Sequence, residues 1–208
     1  MCDSAACELS SRLRGPGAPL GEVFSFISAL YFRGKLAYAR RFANAPPPVD
    51  GAFVITACGG LITPETMVTR ERLREISASN IDLMNHRYRS LLDRDSLALS
   101  ELVGSDCQIV LLGSVATPKY AEPLLHIFGE RLLFPAEFAG RGDMSRGGLM
   151  LRRVKSGVQL TYLSLATAVR HGPKPPRLDS TALACERCAR RSQGYWGGAP
   201  RFGRRRSS

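Results

Sequence analysis

Apolar and polar residues alternate along the middle of the chain in patterns that predict helices and short strands in turn. In residues 23–42 the apolar residues recur close to the helical period, and arginine and lysine occupy the opposite face. The run NAPPPVDG ends this predicted helix, because proline cannot continue it. GAFVITACGGL follows, with the β-branched and aromatic composition of a buried strand that stops at Gly59 and Gly60.

The stretch after this strand predicts two helices. Thr63, Pro64 and Glu65 resemble a helix start, with a capping hydroxyl, a proline in the first turn and an acid nearby. Ser79 and Asn80 interrupt the helical period, so we expect a helix on each side of them.

The order of strand and helix then repeats. Residues 108–112 predict a strand, Thr117 and Pro118 predict the start of a helix, and Gly129 predicts its end. RLLFP predicts another short strand. GLMLRRV and VQLTYLSLA, joined by residues 155–157, predict a β-hairpin.

This order predicts an α/β domain with a single open, mostly parallel, three-layer sheet of the Rossmann-like kind and a C-terminal β-hairpin. We place the domain at residues 22–169. Residues 1–21 lack an apolar period and predict a flexible arm, whereas residues 170–208 are rich in proline, glycine and arginine and predict a disordered basic tail.

The sequence has neither an apolar run of the roughly 20 residues that cross a membrane nor a secretory signal, which favours a cytoplasmic protein.

The net charge of +11 is concentrated in this tail. From residue 170 onwards, ten lysines and arginines stand against two acidic residues, which makes +8 of the total. Aromatic residues that can stack on bases are interleaved with arginines that can neutralise phosphates. These residues are Arg190, Arg191, Tyr195, Trp196, Arg204, Arg205 and Arg206. We predict weak, salt-dependent affinity for nucleic acid, and the alternative is a solubilising terminus.

The glycine-rich segment GRGDMSRGG, residues 140–148, is the first candidate site. We predict that Arg141, Arg146 and the Gly147 amide bind an anion, while Asp143 and Ser145 act as catalytic groups beside it. In the alternative, Asp143 pairs with one arginine and the glycines only turn the chain. The segment is not a nucleotide-binding P-loop, because two residues required there, a lysine and a serine or threonine, are replaced by glycine and leucine.

GSVATPKY is the second candidate site. Gly113, Ser114, Thr117 and Lys119 lie at a predicted helix N-terminus, which suits phosphate or carboxylate. The alternative is ordinary capping by Thr117. Ligands of open α/β sheets bind at the carboxyl ends of the strands, so we expect this segment, CGGLITP and the glycine-rich segment to lie together.

The cysteines offer a weaker metal site. Cys185 and Cys188 have the spacing of half a zinc site, and Cys2 and Cys7 form a looser second half, but we favour free thiols and no metal. Cys58 at the end of the first strand is expected to be a buried, inert thiol. The sequence identifies no cofactor and no oligomeric state.

Three segments carry a family resemblance: ISALYFRGKLAYARRFA, FVITACGGLITPETMVT and IVLLGSVATPKYAEPLLHIFGERLLFP. Over residues 27–135 the chain resembles a group of small uncharacterised bacterial and phage proteins with a Rossmann-like fold. These in turn resemble proteins found near nucleic-acid modification and defence genes, so the resemblance implies a nucleotide-related role. The chain departs from the group at GRGDMSRGGLMLRR.

Together these features favour an enzyme that acts on a nucleotide or nucleic-acid substrate. Arg141 and Arg146 are expected to clamp phosphate, with Asp143 as acid or base. The alternatives are a non-catalytic nucleic-acid-binding protein and a partner-binding scaffold. Exchange of Asp143 for asparagine distinguishes the first two, since an enzyme should lose turnover and keep its affinity.

Overall fold

The N-terminal part of the chain contains helix α1 (Ser4–Arg14), the two-residue strand β1 (Ala18–Pro19) and helix α2 (Leu20–Ile27). The computed structural model describes residues 4–115 and 117–168. Leu9 is buried together with Leu20 and Val23 in a small apolar cluster. The segment that we expected to be a flexible arm therefore supplies a helix and core side chains, because a few apolar residues suffice to dock so short a helix.

Helix α3 (Ala29–Phe42) follows, so the one helix expected here is two helices separated at Ser28. As predicted, α3 ends before the proline-rich run. Strands β2 (Val54–Thr56) and β3 (Gly60–Ile62) then form an antiparallel hairpin. Gly60 has a φ of +66° and lies against the Asp95 carboxylate, which accepts a hydrogen bond of 2.9 Å from the amide of Leu61. A side chain at Gly60 would overlap that carboxylate.

Strand β4 (Met67–Val68) pairs with β1, and helices α4 (Arg70–Ala78) and α5 (His86–Val103) follow. The helix start expected at Thr63 is wrong, since Pro64 lies buried in a turn and α4 begins after Thr69, whose side chain accepts from the amide of Arg72. The break expected at Ser79 and Asn80 is confirmed.

The last part of the described chain contains the third sheet. Strand β5 (Ile109–Val110) is followed by helix α6 (Pro118–Phe128), a 3₁₀ turn (Gly129–Arg131), strand β6 (Leu132–Pro135) and a second 3₁₀ turn (Ala136–Phe138). Helix α7 (Asp143–Ser156) and strand β7 (Tyr162–Ser164) complete it. The predicted start of α6 at Pro118 and its end at Gly129 are confirmed.

The single open, mostly parallel, Rossmann-like sheet expected from the sequence is wrong. The strands of the described residues form three small sheets, β1–β4, β2–β3 and β5–β6–β7, and of their pairings only β5 with β6 is parallel. The physical reason is local pairing: β2 bonds to β3 across a tight turn and does not reach β5.

The predicted C-terminal hairpin is also wrong. Its first half belongs to α7, and the residues expected to form its turn include Gly157, which ends α7 in a left-handed conformation with φ of 71° and ψ of 15°. Glycine after a helix and glycine in a hairpin turn give the same local signal, because both positions favour positive φ.

The main core lies between α5, α6 and the third sheet. Its largest members include Tyr88, Leu92, Phe128, Leu132 and Phe134. All described residues belong to one compact unit. Within residues 4–115 and 117–168, no helix has both the length and the apolar character that a membrane span requires.

Candidate functional site

Helices α3 and α7 cross at two glycines, one on each helix. A Cβ atom at Gly147 would lie 2.7 Å from the carbonyl oxygen of Leu30 and 2.9 Å from the Cα of Tyr31. A Cβ at Gly34 would lie 2.7 Å from the carbonyl oxygen of Gly147. The two backbones therefore pack directly against each other, and Gly147 is required for this packing.

The buried side chain of Arg146 connects α7 to the preceding 3₁₀ turn. Arg146 is 8% exposed, and its Nε and Nη2 atoms donate to the carbonyl oxygen of Phe138 at 3.3 and 3.2 Å. Its Nη1 lies 3.5 Å from the Oδ1 of Asp143, whose side chain is 64% exposed. The guanidinium thus satisfies buried backbone and leaves Asp143 open to a ligand.

Arg141 also binds its own segment. Its Nε donates to the carbonyl oxygen of Glu137 at 2.9 Å, and its Nη1 donates to the Ser145 Oγ at 3.3 Å. The ion pair of Asp143 with Arg146 is the pairing of Asp143 with one arginine that the alternative expects, and both arginines also brace the connection by donating to the carbonyl oxygens of residues 137 and 138. Their role in binding an anion stays a prediction.

Lys35 on α3 faces this part of α7. Its Nζ lies 3.9 Å from the centroid of the Tyr31 ring, and it forms no salt bridge with any residue that the structure describes. Burial lowers the pKa of Lys35 to about 8; the Asp143 carboxylate acts in the opposite direction, and the Arg146 guanidinium lowers the pKa further. Lys35 is therefore a partly neutral amine near physiological pH.

Tyr31 links Lys35 to the second candidate segment. Its hydroxyl donates to the carbonyl oxygen of Leu112 at 3.3 Å, directly before Gly113. Burial raises the pKa of Tyr31, against a smaller lowering by its hydrogen bond with Arg146. The Tyr31 ring thus contacts the Lys35 amine at its face and Leu112 through its hydroxyl, directly before the described residues 113–115 and 117–119, called the 113–119 turn below.

A cleft of about 1010 Å³ joins these groups. Lys35 and Tyr31 line it from α3, and Asp143 lines it from the start of α7. Its wall also contains the predicted anion-binding residues Gly113, Ser114, Thr117 and Lys119. Among the residues of the glycine-rich segment predicted as a site, Asp143 lines the cleft, whereas Arg141, Ser145, Arg146 and Gly147 do not.

The described residues of the 113–119 turn bring the polar side chains of Ser114, Thr117 and Lys119 to the cleft. Thr117 precedes α6, but its side chain makes no capping hydrogen bond, so the capping alternative is not what the structure shows. Tyr88, buried on α5, donates to the carbonyl oxygen of Lys119 at 2.7 Å and holds the first turn of α6 in place. The amides at the start of α6 are oriented as helix N-termini require for anion binding.

Sequence reasoning missed Lys35 and Tyr31. We assigned the lysines and arginines of this helix to its solvent face, yet Lys35 follows Tyr31 by one helical turn and stands next to Gly34. The signal that could have identified Lys35 was its position in the helix. It recurs at the helical spacing with the apolar residues and lies beside a glycine.

The remaining predicted residues are mostly outside the described part of the chain. This applies to Cys2, Cys185 and Cys188 and to the basic, aromatic tail with Arg190, Arg191, Tyr195, Trp196, Arg204, Arg205 and Arg206. Cys7 lies in α1 and is disulfide-bonded, so the free thiol expected at this position is wrong. Cys58 is a buried free thiol, as predicted. Residues 4–115 and 117–168 contain no cluster of three or more metal-ligating side chains.

The lowered pKa of Lys35 makes the stability of the protein depend on pH. The unfolded chain, with a lysine pKa near 10.5, binds the proton more tightly than the folded chain, with a pKa of about 8. The free energy of unfolding should therefore increase as the pH rises from 8 to 10, because the folded protein no longer has to hold a desolvated charge. This gain is lost as the pH falls through 8, where Lys35 is protonated in both states.

Lys35→Met should remove this slope. We expect urea unfolding of the wild type and of Lys35→Met at several pH values to give a stability difference that narrows with rising pH. The exposed Lys155→Met variant is the control and should follow the wild type at every pH. Parallel curves for the wild type and Lys35→Met would mean that Lys35 has an ordinary pKa.

Comparison of the chain with models of protein families, with curated proteins and with solved structures found no match.

Proposed function

We propose that this protein is an enzyme that binds a phosphorylated substrate of the nucleotide class in the cleft between α3, α6 and α7. One observation carries the proposal: Lys35, Asp143 and the 113–119 turn, which are far apart in the sequence, line the same cleft. An amine, a carboxylate and an anion-binding turn around one cavity are the components that a phosphorylated substrate requires.

The 113–119 turn is the proposed phosphate site. Its hydroxyls on Ser114 and Thr117, the ammonium of Lys119 and the amides at the start of the eleven-residue helix α6 are all donors. Phosphate binding by this kind of donor set is favoured by charge and by the direction of the amides.

Part of the cleft wall is apolar and suits a base or sugar. It contains Phe42, Ile55, Leu99, Ile109 and Tyr120. The volume lies at the upper end of the range for small-molecule sites, so a whole nucleotide has room between this wall and the turn.

Lys35 and Asp143 are the groups proposed to act on the bound substrate. A lysine with a pKa of about 8 exchanges a proton readily near neutral pH, and the exposed Asp143 carboxylate is its charged neighbour. In this proposal Arg146 acts indirectly, since it holds Tyr31 and the start of α7 from behind the cleft.

The proposal predicts that AMP and ADP raise the melting temperature of the full-length protein, whereas adenosine does so much less. Lys119→Ala should weaken AMP binding roughly tenfold or more, because a charged hydrogen bond to phosphate contributes about 1.5–3 kcal/mol. At a ligand concentration 100 times Kd, the stabilisation is about 2.7 kcal/mol, which thermal-shift measurements detect readily. Lys155→Ala, which removes an exposed lysine on α7, is the matched control.

Two results would contradict this assignment. Equal stabilisation by adenosine and AMP would exclude the phosphate site at the 113–119 turn. Stabilisation by oligonucleotides alone, unchanged in Lys119→Ala, would favour the non-catalytic nucleic-acid-binding alternative. For catalysis itself, chromatography of the incubated nucleotide should show product with the wild type and little with Asp143→Asn, whose thermal shift should persist.

A further inference from the structure

We infer that Lys35 is a covalent catalytic residue, whose amine forms a Schiff base with a carbonyl carbon of the phosphorylated substrate. The inference rests on the proposed function and specifies its chemistry. The substrate class is a phosphorylated aldehyde or ketone, such as an open-chain sugar phosphate, whose phosphate would occupy the same site as the phosphate of a nucleotide.

The surroundings of Lys35 leave its amine available for reaction. Most surface lysines are solvated or paired with a carboxylate, whereas Lys35 lies over the face of the Tyr31 ring and has no salt bridge with a described residue. It lines the cleft, so its Nζ is reachable by a bound molecule. A half-buried amine at the base of a cavity is the arrangement that Schiff-base lysines require.

The charged and titratable groups that face Lys35 act on its pKa in both directions. Tyr31 approaches from its own helix, and Asp143 and Arg146 approach from α7. Burial lowers the pKa of Lys35 to about 8; the Asp143 carboxylate opposes this shift, and the buried Arg146 guanidinium adds a smaller lowering. A neighbouring cation and an apolar wall are the two general ways of activating a lysine nucleophile.

The proposed step balances without any redox partner. The lone pair of the neutral Lys35 Nζ forms a bond to the carbonyl carbon, and the carbonyl π electrons move to the oxygen, which takes up a proton. The resulting carbinolamine loses its hydroxyl as water, and the nitrogen loses its proton, which leaves a C=N bond. In this proposal Asp143, which lines the same cleft as Lys35, accepts the proton from nitrogen and returns it to the departing hydroxyl.

The test uses pyridoxal 5′-phosphate and pyridoxal as a matched pair of aldehyde probes with and without phosphate. The full-length protein is incubated with each probe at pH 7.5, the imine is reduced with borohydride, and the labelled lysine is identified by peptide mass spectrometry. The chain has four lysines, Lys35, Lys119, Lys155 and Lys174, so each site can be quantified separately. Lys155 is exposed and serves as an internal standard for an ordinary amine.

We expect label at Lys35 to exceed label at Lys155 by about tenfold or more. The reason is that a pKa of about 8 leaves roughly a quarter of the amine neutral at this pH, against about 0.1% for an ordinary lysine. The excess should be larger with the phosphorylated probe, and Lys119→Ala should reduce that difference while label from pyridoxal persists. Lys35→Arg, which keeps the charge, should lose this label.

Equal labelling of Lys35 and Lys155 by both probes would overturn the inference. If AMP still raises the melting temperature in that case, the proposed phosphate site stands and only the covalent step fails. A different result would be selective labelling of Lys35 to the same extent by both probes, with no stabilisation of the protein and no protection of Lys35 by AMP. That result would support the reactive amine and contradict the phosphate site. Because the mapping is performed on the wild type, a variant that does not fold leaves the result intact.

Discussion

Gly147→Ala should lower the free energy of unfolding by about 2 kcal/mol, whereas Gly148→Ala, one residue further, should raise it by up to about 1 kcal/mol. The new methyl group at position 147 would lie 2.7 Å from the Leu30 carbonyl oxygen, so α3 and α7 must move apart. At Gly148 a methyl group has open space. There the alanine gains only the helix propensity that glycine lacks.

Urea unfolding followed by circular dichroism measures both variants under the same conditions. The opposite signs make the pair informative, because any general effect of alanine on α7 would act on both in the same direction. Stabilisation in both variants would mean that α3 and α7 do not cross at Gly147. A movement of α3 away from α7 would also displace Lys35, because Lys35 directly follows Gly34 at the crossing point. We therefore expect Gly147→Ala to reduce the selective labelling of Lys35.

Arg146→Met should lower the free energy of unfolding by about 2–3 kcal/mol, while Arg141→Met should lower it by less than about 1 kcal/mol. Arg146 is buried and donates twice to the Phe138 carbonyl, which also accepts from the amide of Arg141, so its removal loses two buried hydrogen bonds from a charged donor. Arg141 is only half-buried, and its partners can be reached by water. Methionine retains part of the packing volume of each side chain.

Arg146→Met should also change Lys35. Because Arg146 lowers the pKa of Lys35, its loss should shift the pH midpoint of Lys35 labelling upwards, whereas Arg141→Met should leave the midpoint unchanged. Chemical unfolding and labelling as a function of pH measure the two effects. A variant Arg146→Met that is as stable as the wild type and has lost AMP binding would contradict the bracing role and support the anion clamp predicted from the sequence.

These experiments separate two interpretations of GRGDMSRGG. As a loop, the segment suggested that four glycines and two arginines surround an anion. In the structure its second half is the first turns of α7, Gly147 allows the approach of α3, and the arginines bind the backbone of residues 137 and 138. Asp143 keeps an exposed carboxylate at the cleft, so it remains the side chain of this segment that we favour for a catalytic role.

Local signals in the sequence determined several elements of the fold. The prolines after α3, the break between α4 and α5, and the start and end of α6 all follow from backbone restrictions that act within a few residues. For the same reason the short strands β5 and β6 could be located from β-branched and aromatic runs. The turn proposed as the phosphate site was located in this way too, since it is defined by the start of one helix.

Only the tertiary structure decided which strands pair, which glycine spaces two helices and which lysine faces a cavity. Strand pairing depends on competition between distant segments, and here the local hairpin of β2 and β3 replaced the long-range parallel sheet. Local sequence rules do not distinguish Gly147 from Gly148, yet Gly147 contacts Leu30 and Gly148 faces open space. The reactivity proposed for Lys35 likewise depends on desolvation by α7, which lies more than a hundred residues later in the chain.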